Sequence, residues 1–147
     1  MRCSAGDGGS LQAMTPLLVT EFFSISLDAA ARIVFVERSA RPLELETAEL
    51  YKSCMERCLA AIAHVDRPSH GIVVDQTLAP RAADLRMESL VREAGRTAVT
   101  GFRAFALVVA SESGGRQSKR IEREERFNMH IFQERQAALG FVREKLA

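Results

Sequence analysis

The stretch "HGIVVDQTLAPRAADLRMESL", residues 70–90, contains in order the signals of a buried strand, a polar loop and an amphipathic helix. Residues 71–75 are apolar on both faces until Asp75, which is typical of a central parallel strand. Asp84 is a predicted N-cap for a helix at residues 85–99, where apolar side chains recur at helical spacing. This succession predicts one strand–helix unit of an α/β domain.

Similar patterns predict further strands and helices on both sides of this unit. Alternating or β-branched apolar residues indicate the strands, and apolar residues at helical spacing indicate most of the helices. The remaining predicted elements are strands at 21–27, 32–37, 102–110 and 127–132 and helices at 44–64, 117–125 and 134–146. The predicted fold class is α/β, a single mixed β-sheet in the order β-β-α-β-α-β-α-β-α. Each helix that joins two strands crosses over in the right-handed sense, so the two strands lie parallel and the helix packs on the sheet.

Length and composition indicate one domain preceded by a short arm. A chain of 147 residues with 47% hydrophobic composition can bury the core of one ordinary domain. The first residues are rich in glycine and small polar side chains, which bury too little to offset the entropy of ordering them. We therefore predict a flexible arm at residues 1–17 and one domain at residues 18–147.

Charge and cysteine content argue against several functional classes. With 20 basic and 19 acidic residues, the formal net charge of +1 creates no overall field that would attract nucleic acid or anionic lipid. No apolar run reaches the roughly 18 residues of a membrane helix, and no apolar signal-peptide segment is present. The three cysteines have no disulfide-framework spacing. We predict a cytoplasmic protein without a membrane span and without a nucleic-acid partner.

Catalytic and metal-binding patterns are weak. Cys54 and Cys58 share one helical face, but His64 lies roughly 120° away from Cys58 round the helix at about 100° per residue. Core packing of two small thiols explains them better than a metal site. The sequence contains no GxSxG motif, the nucleophile elbow that would support a catalytic triad. We predict that the protein is not an enzyme and uses no metal and no cofactor.

The segment at residues 113–120 combines glycine with basic side chains. Gly114 and Gly115 free backbone N–H groups and Arg116 supplies positive charge, a combination that can bind an anion. The segment lacks the spacing of a Walker loop. Anion binding and a solvated turn are both left open.

The loops that follow the strands are the predicted location of a site. In open α/β sheets, sites lie beyond the carboxyl ends of the strands, at the point where the strand order reverses. The loops expected to meet there are Arg38–Pro42, Gln76–Ala83 and Ser111–Arg116.

The chain resembles the STAS domains, a group that includes the anti-sigma-factor antagonists, the SpoIIAA-like proteins and relatives of Sec14-type lipid-binding domains. The resemblance covers residues 20–146 and rests on the element order, on "IVVD" with its loop and helix, and on the closing "IFQERQAALGFV". In the antagonists, a serine at the start of that helix is phosphorylated by a partner kinase. Here the matching residues are Asp84, Leu85, Arg86 and Met87, so the acid is present and the serine is not.

The resemblance implies a non-enzymatic regulatory or scaffolding module of bacterial signalling that binds a partner protein or forms a homodimer, without the usual phosphoserine switch. The predicted partner-binding residues are Asp75, Thr77, Leu78, Arg81, Asp84 and Arg86. Thr77 is also the candidate phosphorylation site. The alternative for Asp75 is purely structural: its carboxylate caps the strand end by accepting hydrogen bonds from loop N–H groups.

A second hypothesis is a small-molecule or lipid carrier with the same fold. Its apolar pocket would be lined by Met55, Met87, Leu90, Phe102 or Phe105. A carrier requires a cavity on the order of several hundred Å³. A protein-docking module requires a solid interior and an apolar patch outside.

Overall fold

The computed structural model describes residues 14–80, 85–110 and 129–147. The strands are β1 (Thr15–Val19), β2 (Phe23–Asp28), β3 (Ile33–Arg38), β4 (Gly71–Asp75), β5 (Ala104–Val108) and β6 (His130–Phe132). The α-helices are α1 (Ala48–Ala61), α2 (Leu85–Val99) and α3 (Arg135–Leu146), and short 3-10 helices lie at Leu45–Thr47 and Arg67–Ser69.

These strands form one six-stranded sheet in the order β1-β2-β3-β4-β5-β6. β2 pairs antiparallel with β1 and with β3, whereas the β3–β4, β4–β5 and β5–β6 pairs are parallel. α1 connects β3 to β4 and α2 connects β4 to β5, while α3 follows β6. The predicted α/β fold, with helices packed on a mixed sheet, is confirmed.

The observed elements differ from the predicted ones at the N-terminal end. β1 was not predicted, because Pro16 and a mostly exposed burial pattern hide the strand signal. Proline lacks an N–H group and is tolerated in edge strands, and here the register shifts between Pro16 and Leu18. β1 begins at Thr15, before the predicted domain start at residue 18. Residues 1–13 of the predicted arm and the helix predicted at 117–125 lie outside the described residues.

The strand order also corrects one expectation about the site. The six described strands follow one another in chain order, so their order does not reverse anywhere in the sheet. The crevice that a reversal creates is therefore not formed by these strands.

A row of paired residues crosses the sheet close to the ends of the parallel strands. The register joins Val19 to Ser24, Ser24 to Glu37, Glu37 to Asp75 and Asp75 to Val108. β1, β3, β4 and β5 therefore end on the same side of the sheet, which we call the carboxyl edge.

α1 and α2 cover one face of the sheet, called here the α1/α2 face. Successive strand side chains point to opposite faces, so alternate residues of β2, β3 and β4 face these helices. The buried residues of this face are Phe22, Phe23, Ile25, Val34, Tyr51, Cys54, Cys58, Ile62, Ile72 and Val99.

α3 covers the opposite face, called here the α3 face. Its buried residues are Ile33, Phe35, Val73, Ala104, Ala106, Val108, Ala138, Leu139, Val142 and Leu146. Gly71 permits the close approach of α3, because a Cβ atom at this position would overlap the side chain of Val142. The α3 face is therefore packed without room for another methyl group at Gly71.

Candidate functional site

Asp75 ends β4 and is buried, with 4% of its surface exposed. Its Oδ1 accepts a hydrogen bond from the N–H of Thr77 at 2.9 Å, as the capping interpretation predicts. Its Oδ2 accepts two hydrogen bonds from Arg135, from Nε at 3.2 Å and from Nη2 at 2.9 Å. The Asp75 carboxylate thus joins the loop after β4 to the start of α3.

Arg135, the first residue of α3, contacts two carboxylates and an aromatic ring. Its Nη2 also donates to Oε2 of Glu37 at 2.7 Å, and its guanidinium lies 4.7 Å from the centroid of the Phe35 ring. Glu37 pairs with Asp75 across β3 and β4, so Arg135 offsets the repulsion between two neighbouring negative charges. The Asp75–Arg135–Glu37 cluster ties the ends of two central strands to α3.

These contacts lower the pKa of the Asp75 carboxyl group. Burial raises that pKa, because it disfavours the charged form, but the hydrogen bonds from Thr77 and Arg135 and the positive charge of Arg135 outweigh it. Burial lowers the pKa of Arg135, yet its contacts with Asp75 and Glu37 raise it overall. Asp75 and Arg135 are therefore both ionised at neutral pH.

The loop after β4 turns outward beyond Asp75. The N–H of Gln76 donates to the carbonyl of Val108 at 2.8 Å, and the N–H of Ala79 donates to the carbonyl of Gln76 at 3.1 Å. Thr77 is exposed, and Leu78 exposes 56% of its surface. The loop is thus held by hydrogen bonds at its base and presents an apolar side chain to solvent.

Leu78 belongs to a set of exposed apolar side chains at the carboxyl edge. Among the described residues, the large hydrophobic side chains that are exposed are Val19 at 69%, Leu45 at 57% and Leu78 at 56%. Val19 ends β1, Leu45 lies in the connection after β3, and Leu78 lies in the loop after β4. Their location at one edge makes this edge the candidate docking surface, since single exposed residues scattered over a surface would need no explanation.

The structure brings Asp75, Thr77 and Leu78 together in one loop and places Arg86 at the start of α2 with its side chain exposed. Ser89, one turn further along α2, is also exposed. The other predicted site residues lie outside the described residues: Arg81, Asp84, Gly114, Gly115 and Arg116.

Arg38, in the first of the three expected loops, points inward. It is 6% exposed, and its Nη1 donates to the carbonyls of Ser39 at 2.7 Å and Arg41 at 2.8 Å. Its guanidinium lies 5.0 Å from the centroid of the Phe22 ring. Burial lowers the pKa of Arg38. These contacts make it a structural residue of the β3 end.

Cys54 and Cys58 lie in the core of the α1/α2 face, which agrees with the core-packing interpretation. Burial, with a smaller contribution from Cys54, raises the pKa of Cys58 to about 11. A thiol with so high a pKa is almost entirely protonated at neutral pH and is a poor nucleophile and metal ligand. Within the described parts of the chain, no group of three or more histidine, cysteine or acidic side chains could hold a metal ion.

An apolar cavity of about 120 Å³ lies between the sheet and the two helices of the α1/α2 face. It is lined by Met55 and Phe105, but Met87, Leu90 and Phe102 do not border it. Sites for drug-sized ligands have volumes of about 300 Å³ or more, so this cavity is smaller than such a site. No helix in the described ranges is long and apolar enough to cross a membrane.

Two residues of the cluster, Glu37 and Arg135, were not predicted as site residues. A signal for them does exist in the sequence. Glu37 and Asp75 are polar residues near the ends of two buried strands, and Arg135 opens the helix after the last strand. Arg135 contacts Asp75 and Glu37 across 60 and 98 residues of sequence. These contacts form only when β3 and β4 are paired in register and α3 packs against them, so they could not be predicted from local sequence.

Comparisons with known proteins establish the fold. A protein of the DUF3478 family with a SpoIIAA-like fold from Shewanella loihica is 13% identical, with a TM-score of 0.55 over 88% of this chain and 92% of that chain. An anti-sigma factor antagonist from Mycobacterium paratuberculosis is 15% identical, with a TM-score of 0.51 over 88% of this chain and 94% of that chain. No protein-family model and no curated protein sequence matches the chain. The chain therefore has a SpoIIAA-like fold, which confirms the fold that the resemblance implied.

Proposed function

We propose that this chain is a non-enzymatic regulatory module that docks a partner protein at its carboxyl edge, in the bacterial cytoplasm. The observation that carries the proposal is the exposed Leu78 in a loop held from below by the Asp75–Arg135–Glu37 cluster. A partner gains most from apolar side chains that are already held in place, because little conformational entropy is then lost on binding. The likeness to an anti-sigma factor antagonist supports a regulatory role.

The proposed partner-binding residues are divided between two roles. Thr77, Leu78 and Arg86 are exposed and would contact the partner, together with the predicted contacts Arg81 and Asp84. Asp75 is buried and would act by holding the loop. A second copy of this chain is the alternative partner.

The proposed module works without phosphorylation of a serine at the start of α2. The helix begins at Leu85, which has no hydroxyl group to accept a phosphate. Thr77 is exposed in the preceding loop, and its hydroxyl group is the proposed alternative site of phosphorylation. A phosphate there would add nearly two negative charges to the docking surface.

To test the proposal, Thr77 is replaced by a photo-crosslinking amino acid, and the variant is expressed in the cells that naturally make the protein. The captured protein is identified by mass spectrometry, purified and titrated against the chain by calorimetry. Leu78→Glu should weaken its binding by about tenfold or more, because it places a charge in the centre of the apolar contact. The melting temperature should stay close to that of the wild type, since the side chain is exposed.

Ala30→Glu is the control, because Ala30 is exposed in the turn between β2 and β3, at the end of the sheet opposite the carboxyl edge. Loss of binding in Leu78→Glu alone supports the loop after β4 as the docking surface. Equal binding by the wild type and Leu78→Glu would refute it. Capture of the chain itself would identify the second copy as the partner.

A further inference from the structure

The cavity of the α1/α2 face is partly open and is lined mainly by apolar side chains of the sheet and of both helices. The strands contribute Phe23, Ile25, Ile72 and Phe105, among others. Its volume is about 120 Å³. Apolar cavities of similar size, on the order of 150 Å³, stay dry and take up benzene or xenon.

Gly95 contributes to the wall of this space. It lies inside α2 and borders the cavity. A Cβ atom at this position would meet no atom within 4 Å. Glycine in a helix interior is less stable than alanine, and an empty cavity loses the dispersion contacts of its walls. A bound molecule would restore the dispersion contacts that the walls of the cavity lack.

The walls of the cavity define the chemistry of its occupant. The rings of Phe23, Tyr51 and Phe105 and the thioethers of Met55 and Met129 border it. Aromatic edges and methionine sulfur both make favourable contacts with an aromatic ring.

The charge at the cavity wall is balanced. Arg92 borders the cavity, and its Nη2 lies 3.4 Å from Oε1 of Glu88 in an ion pair. Gln76 adds an uncharged amide. Glu88 does not border the cavity, but its ion pair engages the charge of Arg92, and Gln76 offers a polar group to a neutral ligand.

From these observations we infer that the cavity is a binding site for a small neutral aromatic molecule of about one ring. Most of the site lies beneath α1 and α2, and Gln76 is the described residue of the loop after β4 that borders it. Its existence does not depend on the docking proposal.

Methionine methyl groups allow a direct test with benzene as the probe. The chain has 5 methionines. Met55 and Met129 border the cavity, whereas Met14 packs on the α3 face. With ¹³C-methyl-methionine labelling, benzene should shift the Met55 and Met129 signals in a saturable manner and leave Met14 unchanged. Benzoate, which is charged, should bind at least tenfold more weakly than benzene.

Filling the cavity from Gly95 provides the decisive variant. Gly95→Leu should abolish the benzene-induced shifts, and Gly140→Leu is the matched control. Gly140 also lies inside a helix, and a Cβ atom added there would meet no atom within 4 Å, but this position is exposed. Gly140→Leu should bind benzene like the wild type.

If Gly95→Leu does not fold, Gly95→Ala replaces it in the same titration. This smaller substitution should weaken benzene binding several-fold. The inference is overturned if the Met55 and Met129 signals do not respond to benzene in the millimolar range. It is equally overturned if Gly95→Leu or Gly95→Ala binds benzene as the wild type does.

Discussion

The two faces of the sheet are packed in different ways. On the α3 face, the helix approaches so closely that only glycine fits at position 71, opposite Val142. On the α1/α2 face, the helices leave a cavity of about 120 Å³, and Gly95 of α2 borders open space. The same sheet thus supports one face fixed by close contact and an ion cluster and one face with spare volume. Glycine marks both faces, but for opposite physical reasons.

Among the variants that test this difference between the two faces, Gly71→Ala should change the free energy of unfolding most. The added methyl group would overlap Val142, and overpacking of this kind costs about 3 kcal/mol of unfolding free energy. Urea denaturation monitored by circular dichroism measures the loss.

The double variant Gly71→Ala, Val142→Ala makes room for the added methyl group. It should be more stable than the sum of the two single losses by about 1 kcal/mol or more. Strict additivity would show that the two positions are not in the contact described.

Arg135→Ala should have the next largest effect, because it leaves the buried carboxylate of Asp75 without its cation. We expect a loss of about 2 kcal/mol at neutral pH, less than for a fully buried pair because Arg135 is 30% exposed. The measurement is urea denaturation of the wild type and the variant at neutral pH and at acid pH.

The pH dependence provides the control for this variant. The pKa of Asp75 is lowered in the folded wild type, so its stabilising contribution is present above the unfolded value of about 3.9 and is lost as the pH falls through the lower folded value. The difference between the wild type and Arg135→Ala should therefore shrink on acidification. A difference that does not change with pH would mean that Arg135 acts through its packing on Phe35 and not through its charge.

Gly95→Ala should have the smallest effect and the opposite sign. Alanine is favoured over glycine in a helix by about 1 kcal/mol, and no atom obstructs the new methyl group. Thermal unfolding should show a rise in melting temperature, and Gly140→Ala should show a similar or smaller rise. A melting temperature lowered by Gly95→Ala alone would contradict the open space beside α2.

The sequence predicted β4 and α2 with the observed bounds, because a short run apolar on both faces and a regular apolar stripe are strong signals. It missed β1, whose proline and exposed residues obscure the strand pattern. The capping bond of Asp75 follows from local chemistry and could be anticipated.

The contacts of Arg135 and the walls of the cavity depend on packing between distant elements. Met55 and Phe105 were correctly predicted as cavity residues, whereas Met87, Leu90 and Phe102 do not border the cavity, although Met87 is buried. Periodicity identifies which side of a helix is buried. It does not identify which buried residues border empty space.

The sequential strand order has a consequence for how the chain folds. Each described strand pairs with the strand that precedes it in the chain, so pairing brings together segments separated by a single connection. The antiparallel β1–β2 and β2–β3 pairs are local contacts, which are associated with faster folding, whereas the parallel β3–β4 pair joins Ile33 to Gly71 across a long connection and is a slower kind of pairing. During synthesis, the β1–β2–β3 meander can form before β4 emerges from the ribosome. It then offers the open edge of β3 as a template onto which each later strand is added in turn.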